Sequence, residues 1–98
     1  MWYANVLYYV DDPDAVAATR TVHRAYMADL LARGKLAAGG PFADLTGALF
    51  IYEAASAAEA ERLAAQDPYT LAGLITEHTI RPWQLVYSDP SLLAQPPG

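Results

Sequence analysis

The sequence predicts one small α+β domain, and three observations lead to that class. The chain has 98 residues, a length typical of a single domain. Short runs rich in aromatic and β-branched residues alternate with two stretches of helical periodicity, in the order strand, helix, strand, strand, helix, strand. Hydrophobic residues make up 54% of the chain, which is high for so small a body. Either an unusually large share is buried, or some apolar surface serves a partner.

The first strand covers residues 2–10 and ends before a turn-forming Asp-Asp-Pro segment. Both faces of this strand are largely apolar, which indicates burial on both sides. A helix follows from Pro13 to about Arg33, with Asp12 as its N-cap residue and Gly34 as the left-handed residue that ends it. One stripe of this helix carries residues spaced by three and four positions, namely Val16, Arg20, His23, Met27 and Leu30.

Two short strands, 36–40 and 48–53, flank the next loop, and the second of them is again apolar on both faces. Ser56 and Glu59 form a capping-box pattern, which predicts a second helix that reaches about Gln66.

Asp67 and Pro68 end the second helix, because a residue before proline is disfavoured in the α region. Asp67 then caps a short turn. The last strand spans residues 75–87, with an edge position or a bulge expected at Pro82. We therefore predict a domain over residues 1–87 and a C-terminal tail over 88–98 that is ordered only where it packs.

This element order is the split βαβ arrangement of ferredoxin-like folds, in which two helices cover one face of a four-stranded antiparallel sheet. The other face needs a cover, since the first and third strands are apolar on both sides. A second copy of the same sheet is the simplest cover, and it would form a closed, symmetric homodimer. A monomer in solution at micromolar concentration would contradict this hypothesis.

Composition disfavours several classes of function. The net charge is −5 and no basic stripe is present, so we expect no nucleic-acid partner. The chain has no cysteine, which excludes disulfides, thiolate catalysis, iron–sulfur clusters and cysteine-based zinc sites. No apolar run approaches membrane-spanning length, and the N-terminus has no basic region and no cleavage pattern. We therefore expect a cytoplasmic protein with no membrane partner.

Four motifs occur in a fixed order within residues 2–87. They are Arg20-x-x-His23, Gly34-Lys35-Leu36-x-x-Gly39-Gly40-Pro41, Ala65-Gln66-Asp67-Pro68-Tyr69-x-x-Ala72-Gly73-Leu74 and Ile80-Arg81-Pro82-Trp83. In joint order and spacing they resemble the YCII-related family, and the Asp-Pro-Tyr and Arg-Pro-Trp segments are the most specific. The resemblance implies a ferredoxin-like dimeric α+β barrel, in agreement with the element order.

The resemblance also implies an active-site pair, His23 and Asp67. We separately expect no cofactor and no metal. Most members of this family have no assigned reaction. One type of member removes chloride from a chlorinated hydroxyhydroquinone, and relatives on the same barrel include lactone isomerases and cofactor-free monooxygenases.

Such a pair suits proton transfer. An aspartate bonded to one ring nitrogen of His23 fixes the tautomer and leaves the other nitrogen as a general base near pH 7. The first helix contains no serine, so no nucleophile completes a triad for acyl transfer. The structural alternatives are a histidine that only packs in the core and an Asp67 that only caps, a role worth about 1 kcal/mol.

Four further residues are candidates for substrate binding. Arg20 lies one turn from His23 and could bind a carboxylate or phenolate, although an ion pair or a solvated side chain is the alternative; Arg81 is similar. Tyr69 and Trp83 could line a pocket for a flat ring, although such aromatic residues more often belong to a core or a dimer interface. His78 is expected to be peripheral, and nothing in its spacing supports a metal site with His23.

The leading hypothesis is a small cofactor-independent enzyme that uses the His–Asp pair for proton transfer on a cyclic or aromatic small molecule, by a dehydrochlorinase-like or isomerase-like reaction. One alternative is a non-catalytic dimeric module that binds a small ligand or a protein. Another is a cofactor-free monooxygenase, which would consume oxygen.

Overall fold

The structure of this chain, a computed structural model, describes residues 1–94. Residues 95–98, the end of the predicted tail, lie outside the described part. The elements in chain order are β1 (Trp2–Tyr9), α1 (Pro13–Ala32), β2 (Leu36–Pro41), β3 (Gly47–Glu53), α2 (Ala57–Ala65), α3 (Pro68–Leu71), β4 (Ile75–Trp83) and α4 (Pro90–Leu93).

One four-stranded antiparallel sheet with the order β2-β3-β1-β4 forms the centre of the fold. Tyr3 of β1 lies opposite Tyr52 of β3, and both side chains point toward the helices. There they share one hydrophobic core with Leu30 of α1 and Leu63 of α2. The two main helices therefore cover the same face of the sheet, which confirms the predicted ferredoxin-like α+β fold.

Among residues 1–94, no helix covers the second face of the sheet. Alternation along β1 places Trp2, Val6 and Tyr8 on this face, and none of these side chains is fully buried. Trp2 stacks on Trp83 of β4 with ring centroids 5.9 Å apart, and Leu49 of β3 is 38% exposed on the same face. Strands β1 and β3 are thus apolar on both sides, as their sequences predict.

Helix α1 follows its predicted course closely. The side chain of Asp12 accepts a hydrogen bond from the backbone N–H of Ala15, and Gly34 adopts a left-handed conformation (φ 70°) just after the helix ends. Its buried stripe includes His23, while Arg20 is half-buried. Within residues 1–94, no helix has the length and apolar character needed to cross a membrane.

The last strand is shorter than its sequence predicts. It ends at Trp83 rather than at Tyr87, because the ladder between β1 and β4 ends at the pair of Trp83 with Trp2, the first residue of β1. Strand β4 lies at an edge of the sheet, so Pro82 removes no ladder hydrogen bond to a second neighbour. The short helix α4, capped by Asp89, is an element that the sequence analysis did not predict.

Candidate active site

The side chains of His23 and Asp67 meet although they lie 44 residues apart in the sequence. His23 Nδ1 is 2.9 Å from Asp67 Oδ1, and the two residues are 8% and 1% exposed. Helix α1 carries the histidine and packs against α3, whose N-cap residue is the aspartate. The pair is therefore a buried hydrogen bond between two packed helices.

Local backbone geometry fixes the position of Asp67. Because Pro68 follows it, Asp67 is held in an extended conformation (φ −59°, ψ 129°) at the start of α3. From there its Oδ1 also accepts the backbone N–H of Tyr69 at 2.9 Å. Within residues 1–94, Oδ2 is buried and has no hydrogen-bond partner. One oxygen of the carboxylate thus serves both the helix cap and the histidine.

The hydrogen bond also assigns the tautomer of His23. An ionised carboxylate only accepts hydrogen bonds, so a neutral imidazole facing it is assigned the Nδ1–H tautomer, with its lone pair on Nε2. The ring stacks on Tyr69 with centroids 4.1 Å apart, and Phe50 lies 5.6 Å away on a tilted plane. The ring is therefore packed between aromatic side chains, and Nε2 is the ring nitrogen that the bond to Asp67 leaves unused.

A cavity of about 620 Å³ adjoins this histidine. His23, Phe50 and Tyr69 line it from the core, and the small residues of β2 line another wall. Its volume falls within the range of small-molecule pockets, roughly 300–1,000 Å³. The cavity is therefore large enough for a single ring compound beside the His–Asp pair.

Gly39 of β2 gives Phe50 the space to reach the site. The two residues are opposite each other in the β2–β3 ladder, and a Cβ atom at position 39 would overlap Cδ1 of the Phe50 ring. A side chain at this position would displace a wall of the cavity. The glycine therefore serves close packing of the ring.

A tyrosine hydroxyl completes the polar groups near the pair. Burial is the main cause that raises the pKa of Tyr9 to about 12; neighbouring Tyr69 and Asp67 also raise it, and Arg20 lowers it. Tyr9 lines the cavity and contacts the Tyr69 ring edge-on at 5.3 Å between centroids. At neutral pH its hydroxyl is protonated and can donate a hydrogen bond, but it cannot act as a base.

The structure brings together four of the six site residues named from the sequence. Arg20 and Tyr69 line the same cavity as His23, with Asp67 directly behind the histidine. Strand alternation places the other two residues elsewhere, since Arg81 and Trp83 lie opposite Ala4 and Trp2 on the uncovered sheet face. In the single chain, neither of them lines this cavity.

Arg24 is a cavity residue that the sequence analysis missed. It follows Arg20 by four positions, so helical spacing would have placed both on one side of α1. No metal position accompanies the pair, because residues 1–94 contain no group of three or more His, Cys, Asp or Glu side chains arranged to hold a metal ion. His78 bonds Glu61 at 3.0 Å on the exposed surface, apart from the cavity.

The chain was compared with solved structures, curated proteins and family models. One similar solved structure is that of 5-chloro-2-hydroxyhydroquinone dehydrochlorinase (TftG) from Burkholderia phenoliruptrix AC1100, in complex with 2,5-dihydroxybenzoquinone. It is 26% identical to this chain, covers 86% of this chain and 94% of its own, and superposes with a TM-score of 0.77. No curated protein matches the sequence. The model of the YCII-related domain matches residues 1–84, and the chain therefore belongs to the YCII-related family.

Proposed function

We propose that this protein is a small cofactor-independent enzyme that transfers a proton on a cyclic or aromatic small molecule. His23 is the general base, and Asp67 is the positioning residue that orients it. The observation that carries the proposal is the buried 2.9 Å bond from Nδ1 to Asp67, beside a cavity that His23 itself lines. That bond leaves Nε2 as the basic atom on the substrate side.

The proton transfer has a simple course. Nε2 accepts a proton from a C–H next to a carbonyl or from a ring hydroxyl, and the electron pair moves into the ring or onto the carbonyl oxygen. In a dehydrochlorination, chloride then leaves with its bonding pair; in an isomerisation, the imidazolium returns the proton to a different atom. Asp67 stabilises the imidazolium in either reaction. Tyr9 can donate a hydrogen bond to the oxygen that gains charge.

The relatives support this class of reaction. The solved neighbour is named as a dehydrochlorinase, and its structure holds a dihydroxylated benzoquinone, a flat ring compound. The rings of Tyr69 and Phe50 give the cavity of this chain flat apolar walls beside the basic nitrogen. A substrate of similar shape would lie against these walls.

One observation favours the alternative of a non-catalytic binding module. Asp67 already caps α3 through Tyr69, and His23 is packed between aromatic rings, so both side chains have structural roles.

We further propose that the chain works as a cytoplasmic homodimer joined through its uncovered sheet face. The half-buried aromatic and aliphatic side chains of that face support the dimer.

The experiment compares the two histidines of the chain. Phenols and lactones are incubated with the protein in D₂O, and NMR follows exchange of their ring protons and any release of chloride. We expect His23→Asn to lose at least about a hundredfold in rate, the lower end of general-base contributions. His78→Asn, which removes an exposed histidine, should retain the wild-type rate. Circular dichroism checks that both variants are folded.

A nitrogen-15 spectrum of the His23 ring tests the positioning role separately. The wild type should show the Nδ1–H tautomer, and Asp67→Ala should shift the ring toward the Nε2–H form that free imidazole prefers. Full activity in His23→Asn would make the general-base assignment wrong. If wild-type protein promotes no exchange on any compound, the binding module becomes the better description.

A further inference from the structure

The cavity has basic side chains in its lining and no acidic ones among the described residues. The basic side chains are Arg20, His23 and Arg24. Asp67 lies behind the histidine and is 1% exposed. The chain as a whole has the opposite balance, with 11 acidic residues against 6 Lys and Arg, so two of its six cationic side chains border one cavity.

Neither arginine of the cavity has an acidic partner, whereas two other cations of the described residues do. Arg33 bonds Asp29 at 3.0 Å, and Lys35 bonds Glu59 at 2.7 Å. Among residues 1–94, no salt bridge or side-chain hydrogen bond is formed by Arg20 or Arg24. Their guanidinium charges are therefore free to act on whatever enters the cavity.

Helical spacing lets both arginines reach one group. Residues four apart on a helix have Cβ atoms about 5–6 Å apart on the same side. Arg20 is half-buried beside the pair, whereas Arg24 is exposed at the rim of the cavity. A guanidinium group presents a planar fork of donors that matches a carboxylate, and two forks can bind its two oxygens together. Other residues that line the cavity, including Leu36 and Phe50, are apolar.

We infer that the ligand of this cavity is a small organic anion, in which a flat ring lies against Tyr69 and Phe50 and an acidic oxygen group is bound by Arg20 and Arg24. The inference deepens the proposed function by naming the charge and shape of its substrate. Apolar walls strengthen the attraction, because they reduce the screening of the arginine charges by water. The cationic cavity also attracts anions toward an otherwise acidic protein.

Matched probes of equal shape test the charge requirement. Calorimetry or NMR titration measures binding of 1-naphthoate and of its neutral analogue 1-naphthamide to the full chain. We expect naphthoate to bind about tenfold or more tightly, since hydrogen bonds between ionised groups are roughly twice as strong as neutral ones. The preference should decrease in high salt, because Arg24 is exposed to solvent.

Charge-matched variants test the residues. Arg20→Gln and Arg24→Gln should each weaken naphthoate binding about fivefold or more and leave naphthamide binding unchanged. Arg62→Gln removes the same charge from an exposed position on α2, outside the cavity, and should stay within about twofold of wild type. Equal binding of the two probes, an equal effect of Arg62→Gln, or no detectable binding of either probe would overturn the inference.

The outcome is separable from that of the proposed reaction. His23→Asn keeps both arginines, so it should bind naphthoate even where it no longer catalyses exchange. Arginine-dependent binding without any turnover would support the anion site and contradict the enzyme. Turnover of neutral substrates that is indifferent to both arginines would support the enzyme and contradict the anion site.

Discussion

Replacing Asp67 with alanine tests the central bond of the site through stability, without any substrate. The change removes the helix cap to Tyr69 N–H, worth about 1 kcal/mol. It also removes the buried bond to His23 Nδ1, in the range of about 1.5–3 kcal/mol for a hydrogen bond to a charged group. Part of this is offset, because Oδ2 is buried without a partner among the described residues and its desolvation is relieved. We expect a net loss of about 2–3 kcal/mol.

Two comparisons separate the bond to histidine from the cap. Asp12→Ala removes only an N-cap bond, from Ala15 N–H at the start of α1, and should cost about 1 kcal/mol. A double-mutant cycle of Asp67→Ala with His23→Phe isolates the pair, because phenylalanine preserves a ring that can stack on Tyr69. We expect a coupling free energy of about 1–3 kcal/mol in this cycle.

The assay is urea unfolding, followed by tryptophan fluorescence and far-ultraviolet circular dichroism at one fixed protomer concentration. The reasoning would be refuted if Asp67→Ala lowered the free energy of unfolding no more than Asp12→Ala does and the coupling free energy were near zero. In that case the 2.9 Å contact would add nothing to stability, and Asp67 could not be credited with holding His23 in place.

Two further predictions concern packing and assembly. Gly39→Ala should lower the free energy of unfolding in urea by about 1–3 kcal/mol, because the new Cβ overlaps the Phe50 ring. At Gly40 a Cβ meets nothing within 4 Å, so Gly40→Ala should change the free energy of unfolding by no more than about 0.5 kcal/mol. Equal effects of the two substitutions would contradict the contact with Phe50. Analytical ultracentrifugation of the wild type at micromolar concentration should show a dimer. Leu49→Glu, on the uncovered sheet face, should dissociate it, whereas Leu71→Glu, at a 73% exposed position of α3, should leave it intact. A monomeric wild type would contradict the dimer.

The element boundaries were predictable wherever the determining interactions are local. Asp12, Ser56 and Asp67 each cap a helix by accepting a backbone N–H two or three residues ahead, so the sequence shows both partners. The left-handed residue Gly34 ends α1 for a similarly local reason. The end of β4 could not be predicted in this way, because it depends on where the antiparallel neighbouring strand β1 begins, at Trp2.

Some residues of the candidate site could likewise be named from the sequence, and others could not. Residue types, helical spacing and the family motifs were sufficient to name His23, Asp67, Arg20 and Tyr69. Arg24 was missed although its spacing was visible, because only the cavity gives that exposed side chain a role. The sequence also grouped Arg81 and Trp83 with the site, but the pairing of β4 with β1 places them on the opposite face of the sheet.

The sequence by itself therefore determined the order of elements, the helix caps, the two-sided apolar strands and the absence of cysteine chemistry. Only the tertiary structure decided that α1 meets α3 so that His23 Nδ1 contacts Asp67, and that Gly39 gives Phe50 room at the cavity wall. It alone gathers cationic side chains around a cavity in an acidic chain. The physical reason is the sequence separation of the interacting residues. Helix caps and periodicity depend on residues a few positions apart, whereas a cavity is enclosed by segments that packing brings together from distant parts of the chain.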